Sequence, residues 1–345
     1  MRTTLRRTLA ASMILLLVPA ATPAVAARAV PAPTPRGYTA GMAVLAGSTI
    51  VRPDGTRIRL ALPRGAEPMN AVEVPTGFLV STLEGHDHNL WHFPHRGTPG
   101  QVRIGSDVDA GIWDVTGDGA TVVATTGTVN VLAAYAVPSL RQRSRIRFAG
   151  PAGSEPTIRG ITGQRVVLVH ADDRGAGTVA IWDLRLRRLT RTPGSIYSWG
   201  VSRDGRMLYR LDSRTSACVD LVAIARSGLV PVTRTGLCGR TAERLIQGDL
   251  SPDGASAVVF YWLGDWEETP PSLVRTADLH AGRWRPTPLP DTVLPPLFWD
   301  TGTTFITVGG FPAGYRRCQT NGRCVRLVLS HVPNGEGTLV RRVGL

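Results

Sequence analysis

Leu250–Phe260 reads "LSPDGASAVVF". Pro252 fixes φ near the value wanted at the second position of a turn, Asp253 tolerates the bridge or left-handed region, and Gly254 accepts positive φ at no steric cost. The chain must reverse there. The run that follows, "ASAVVFYW", is β-branched and aromatic and fits a buried strand. The preceding "LIQGDL" reads as a shorter strand, so the unit is a tight hairpin.

The unit recurs as "WDVTGDGATVVATTG" from Trp113 and "WGVSRDGRMLYRLD" from Trp199, with looser copies in "VEVPTGFLVSTL", "GITGQRVVLVH" and "FWDTGTTFITVGG". The turn glycines are Gly77, Gly119, Gly163, Gly205, Gly254 and Gly302, at spacings of 42, 44, 42, 49 and 48 residues. Two further strand-like runs follow most hairpins, such as "TVAIWDL" then "RLTRT". Four strands in a period of about 40 to 50 residues is the blade of a β-propeller.

"LSPDGASAVVF" resembles the repeat of TolB-type and WD-repeat-like bacterial β-propellers, over nearly the whole chain that follows the leader. The resemblance implies the fold and not an activity. Only the Gly254 copy carries the full Ser-Pro-Asp-Gly. The "WD" dipeptides at Trp113, Trp182 and Trp299 are out of register with true WD repeats and read as chance plus inward-facing aromatics.

The expected fold is therefore all-β, a propeller of four-stranded blades spanning 41–345. Six glycines mark six blades, and residues 41–62 hold about three more strands around a Pro53-Asp54-Gly55 turn. An unpaired edge there would invite aggregation. The tail "GTLVRRVGL" is expected to supply the missing partner, closing the ring between N- and C-terminal strands and making seven blades, with six as the alternative.

Residues 1–26 have a basic start (Arg2, Arg6, Arg7), an apolar run "LAASMILLLVPAA" and a small-residue end at Ala24-Val25-Ala26, the layout of a cleaved secretory signal. No membrane span is expected once it is removed, and 27–40 reads as a disordered proline-rich leader. The protein is expected to be secreted or associated with the cell envelope. Four cysteines in two local pairs suit an oxidising compartment. They allow three pairings. Asn321-Gly322 favours a tight reversal that brings Cys318 and Cys324 together, which leaves Cys218 to pair with Cys238. Loop closure would contribute about 3 kcal/mol for the longer loop and about 2 kcal/mol for the shorter. The knuckles of a four-cysteine zinc site are absent.

All 39 basic residues are arginine, a pattern of GC-rich coding, and the net charge of +13 becomes +10 without the leader, which holds three arginines and no acid. A basic exported surface favours anionic wall polymers or membranes. Nucleic acid is disfavoured, because the arginines of "RQRSRIRF" and "DLRLRRLTR" alternate with apolar residues, as on exposed outer strands.

Chain order sorts a propeller's loops. First-to-second turns lie on one rim, and second-to-third connections on the other. The latter carry the varied sequences "EGHDHN", "ADDRGAG", "DSRTSA", "LGDWEETPPS" and "FPAGYRRCQTNGR", and binding residues concentrate in such loops. The expected binding residues are Trp266, Asp265, Glu267, Glu268, Asp172, Asp173, Tyr315 and Arg316, with Trp266 as an aromatic contact. No catalytic residue is assigned: no G-x-S-x-G motif occurs, a companion hydrolase domain has no room, and sequence does not fix a carboxylate pair. Four histidines crowd "GHDHNLWHFPHRG". His86 and His88 share strand parity and are the candidate ligands for zinc or another divalent metal; otherwise no cofactor is expected.

The expectation is a monomeric, exported, non-enzymatic propeller that binds a protein or glycan of the cell envelope through the variable rim. The alternatives are a propeller-type lyase or glycosidase using rim carboxylates, among them Asp87, and an envelope assembly factor by analogy with TolB-type proteins.

Overall fold

The structure, a computed structural model, describes residues 42–106, 112–128, 130–148, 156–171, 177–192, 195–201, 206–212, 217–225, 228–233, 245–261, 271–290, 293–299, 301–309, 315–327 and 337–343. The leader 1–26 and the segment 27–40 lie outside them. The protein is an all-β propeller with four-stranded blades. Among the described residues the strands form six four-stranded sheets and one five-stranded sheet.

Five four-stranded sheets follow chain order. They are β8(Trp113–Val115) to β11(Arg141–Arg147), β12(Thr157–Thr162) to β15(Arg188–Thr192), β16(Ser195–Val201) to β19(Gly228–Thr233), β20(Leu245–Leu250) to β23(Thr287–Pro288), and β24(Val293–Trp299) to β27(Cys324–Arg326). The first strands β8, β12, β16 and β20 lie beside one another in succession, which makes them the innermost strands. The sixth sheet joins β28(Thr338–Leu339) to β1(Val44–Ala46), β2(Thr49–Val51) and β3(Arg57–Arg59). The tail thus closes the ring on the N-terminal strands, with Val44 opposite Leu339 and Leu45 opposite Thr338. In the five-stranded sheet, β4(Glu67–Val74) to β7(Gly100–Ser106) follow chain order, and β29(Arg341–Arg342) adds to β4 in parallel.

The hairpin in "LSPDGASAVVF" has a physical explanation in its turn. Ser251 Oγ donates to Asp253 Oδ1 (2.5 Å), which also accepts the Ala255 N–H (3.0 Å), while the Ser256 N–H donates to Ser251 Oγ (3.0 Å). The copy at Gly119 builds the same network: Thr116 Oγ1 donates to Asp118 Oδ1 (2.6 Å), which accepts from Ala120 N–H (3.0 Å), and Thr121 N–H donates to Thr116 Oγ1 (3.0 Å). A hydroxyl and a carboxylate two residues apart satisfy the backbone donors of the reversal, which is why the motif precedes each strand where it is intact. These bonds lower the Asp118 and Asp253 carboxyls below their usual range.

Neighbouring turns touch around the ring. A Cβ on Gly119, whose φ is +70°, would stand 2.6 Å from Pro75 Cδ in the next sheet's turn. Gly119→Ala is therefore expected to cost about 2 kcal/mol, from left-handed backbone strain plus the clash. The check is a denaturant midpoint; an unchanged value would mean that the turns do not bear on each other.

The core lies between sheets. Val123, Leu132, Phe148, Leu168 and Trp182 are buried where the β8–β11 and β12–β15 sheets meet, and Val74, Leu79, Ile104, Val122 and Tyr135 fill the joint between β4–β7 and β8–β11. One connection departs from the all-strand reading. Thr276–His280 forms a short helix, α1, between β22(Ser272–Arg275) and β23. Thr276 Oγ1 donates to Gly254 O (2.8 Å) and Leu279 is buried, so the helix is held by packing onto the Ser-Pro-Asp-Gly turn.

Cys318 and Cys324 form a disulfide, facing each other across β26(Tyr315–Gln319) and β27 with Cα atoms 4.1 Å apart. Cys218 lies on β18(Ala217–Ala225), and Cys238 is outside the described residues.

Candidate functional site

The five variable connections join β5(Gly77–Glu84) to β6(Asp87–Pro94), β13(Arg165–Ala171) to β14(Gly177–Asp183), β17(Arg206–Asp212) to β18, β21(Ser256–Tyr261) to β22, and β25(Thr304–Gly309) to β26. All are second-to-third connections and leave their sheets at one rim. The segment "FPAGYRRCQTNGR" divides between the rims: Gln319–Arg323 is the third-to-fourth turn, closed by a Gly322 N–H to Gln319 O bond of 2.9 Å, and belongs with the opposite end.

Trp266, Asp265, Glu267 and Glu268 lie outside the described residues, as do Asp172 and Asp173. Tyr315 begins β26 at the variable rim. Its hydroxyl donates to Gly337 O (2.8 Å) and its ring packs beside Val44, Ile306 and Leu339, so it buttresses the ring closure, and burial raises its pKa. Arg316, beside it, opposes Thr307 and Arg326.

The histidine-rich turn is described in full. His86 is exposed at the tip, and His88 is half-buried on β6 opposite Leu83. Asp87 pairs with Arg103 (2.6 Å), and Glu84 accepts from Trp91 Nε1 (3.2 Å). His92 is buried, hydrogen-bonded to Thr76 Oγ1 (3.0 Å), and held to a pKa of about 4 by desolvation, then by the His95 charge. His95 is exposed and meets Phe78 edge-on. The four histidines are thus spread out: His86 at the tip, His88 and His92 four residues apart on β6, and His95 past the strand's end. Among the described residues no group of three or more His, Cys, Asp or Glu side chains is gathered as a metal centre would need.

A second concentration of chemistry lies on the innermost strands, where sequence reading had placed none. Arg341 of β29 pairs with Asp114 of β8, Arg342 pairs with Glu73 of β4 (2.9 Å), and Arg52 binds the other Glu73 oxygen (3.0 Å). Arg159 is the extra residue of a bulge in β12, and its Nε is buried without a hydrogen-bond partner among the described residues. Asp249, on β20, retains some surface, yet desolvation outweighs the Arg159 and Arg341 charges and raises its carboxyl to about 7. The arrangement is a charge network of Glu73, Asp114, Arg159, Asp249, Arg341 and Arg342 at the axis. A signal for it existed: the four of these on first strands stand four or five residues before their turn glycines, each a lone charge in runs such as "AVEV", "WDV", "TIRGIT" and "IQGDL".

Among the described residues no helix is long and apolar enough to cross a membrane. No protein-family model matches the chain, and no curated protein does. Solved structures that match include the WD40 domain of Toxoplasma gondii coronin, at 9% identity over 75% of this chain and 69% of that one, with a TM-score of 0.49. TolB from Acinetobacter baumannii matches at 11% identity over 85% and 77%, with a TM-score of 0.45. A putative 6-phosphogluconolactonase from Bacteroides fragilis matches at 13% identity over 85% and 92%, with a TM-score of 0.48. The chain is a β-propeller similar in fold to WD40 and TolB-type propellers.

Proposed function

We propose that the protein is an exported, non-enzymatic propeller that binds a protein or glycan of the cell envelope through the variable rim. The observation that carries this reading is the asymmetry of the two ends. At one rim the turns at Gly119 and Gly254 are closed by their own hydroxyl–carboxylate networks and lie against neighbouring turns. The other receives the second-to-third connections, which run from two residues (Gly85–His86) to ten (262–271). A rigid scaffold that presents connections of varied length and sequence at one rim is arranged for recognition. The Cys318–Cys324 disulfide is compatible with export. Among the described residues the four-stranded sheets number six, the alternative blade count, and a seventh blade would require the five-stranded sheet to serve as one.

The test is capture from an envelope extract on immobilised protein lacking residues 1–26, beside a variant carrying Trp266→Ala, Asp265→Ala, Glu267→Ala and Glu268→Ala. The expected result is a bound protein or glycan that the variant loses and that a Gln319→Ala, Arg323→Ala control at the opposite rim retains. Equal capture by all three overturns the rim assignment.

A further inference from the structure

The outermost strand β11, "RQRSRIR", exposes Arg141, Arg143, Arg145 and Arg147, while Ile146 turns inward to the core shared with the next sheet. The register explains the exposure: Arg145 and Arg147 oppose Ala133 and Val131, and a bulge beyond Ala134 resets the pairing so that Arg141 opposes Ala136. The next sheet continues the basic surface. Its third-to-fourth turn exposes Arg185, Arg187 and Arg188, and Leu184 and Leu189 of that turn and strand pack on the same core as Ile146. Arg191 reaches back over the Phe148 ring at 5.6 Å, which ties the two outer strands together.

The nearby acids are already engaged. Asp183 accepts the Leu186 N–H (2.8 Å), and Asp118 is held in its own turn, where the Arg143 charge also acts on it. Among the described residues none of the seven exposed arginines forms an ion pair with a carboxylate. Seven like charges on the edges of two adjoining sheets repel one another, and an anion that engages several at once relieves that repulsion.

We propose that this band is a binding surface for a linear phosphodiester polymer of the cell envelope. Arg145 and Arg147 share one face of β11 at the ~6.6 Å repeat of alternate strand residues, and beyond the bulge Arg141 stands on the other, so this edge offers guanidinium forks on both sides to a chain with one phosphate per short repeat unit. The occupant is a polymer rather than a nucleic acid because neither 141–147 nor 185–188 contains an aromatic side chain on which a base could stack. A bilayer is disfavoured by the form of the surface: β11 is a sheet edge, and the exposed large apolar residue of the band is Leu186 alone. The band lies on outer strands, apart from the variable rim, so either assignment can fail without the other.

The probe is poly(glycerol phosphate) with a fluorescent end label, titrated by anisotropy at several salt concentrations into protein lacking residues 1–26. Replacing Arg141, Arg143, Arg145 and Arg147 by glutamine is expected to weaken binding tenfold or more and to flatten the salt dependence by roughly three charges. A control replacing the exposed Arg57, Arg59, Arg64 and Arg96 by glutamine, equal in net charge, is expected to change affinity less than threefold. Both sets are exposed, and a melting curve verifies that each folds. Equal losses in the two variants would mean that net charge alone acts, and would overturn the proposal. So would no binding near ~0.15 M salt, tighter binding to vesicles containing phosphatidylglycerol, or tighter binding to single-stranded DNA.

Discussion

A chain ending at Gly335 is expected to lose its cooperative thermal transition, or to melt well below the full chain, although the cut removes only ten residues. The cut deletes β28 and β29, which do three things at once. Leu339 and Val340 are almost wholly buried, and losing such side chains costs about 2 to 3 kcal/mol each. Removing Arg341 and Arg342 withdraws partners from Asp114 and Glu73; both arginines are more than a third exposed and Glu73 keeps Arg52, so this adds at most about 1 kcal/mol for each pair. The edge of β1 is then left without its neighbour. Together these approach the whole stability of an ordinary domain, about 5 to 15 kcal/mol. Adding a peptide of residues 335–345 in trans is expected to restore the transition in part. A truncated protein that melts like the full chain would mean that ring closure contributes little.

Much of this was legible in the sequence, and for one reason. A reversal that satisfies its own backbone with a hydroxyl and a carboxylate leaves a local mark, so "SPDG" and "TGDG" announce their hairpins. The pairing of the tail with β1 followed from the arithmetic of strands, since three N-terminal strands needed a fourth. Local signals failed where the outcome depends on what several sheets bring to one place. Strand parity pairs His86 and His88, whereas His86 stands at the tip of the turn and only His88 lies on β6, because no local signal marks where that strand begins. Tyr315, expected as a rim contact, also supports Gly337, 22 residues away, which no local signal announces. The axial charges were each unremarkable alone; Arg341 and Asp114, 227 residues apart, meet only because the ring closes.

Titration from pH 5 to 8 is expected to separate two desolvated groups that work against each other in the wild-type protein. His92 is held neutral, with a folded pKa of about 4 against 6.5 in the unfolded chain. The unfolded state therefore binds more protons between those values, and His92 makes the fold more stable as pH rises through them. Asp249 acts in the opposite sense. Its carboxyl is raised from 3.8 to about 7, so the folded state holds the extra proton, and stability is lost as pH climbs from about 4 to about 7. Asp249→Asn keeps the shape of the neutral acid and removes its titration. Subtracting the variant's stability from that of the wild type cancels His92 and isolates Asp249. That difference is expected to move against the wild type by about 3 kcal/mol between pH 5 and pH 8, from 1.36 kcal/mol per unit over the two units below the folded pKa. Chemical denaturation at half-unit steps measures it. A difference that stays level over this range would show Asp249 ionised throughout, with Arg159 and Arg341 outweighing the desolvation of its carboxyl.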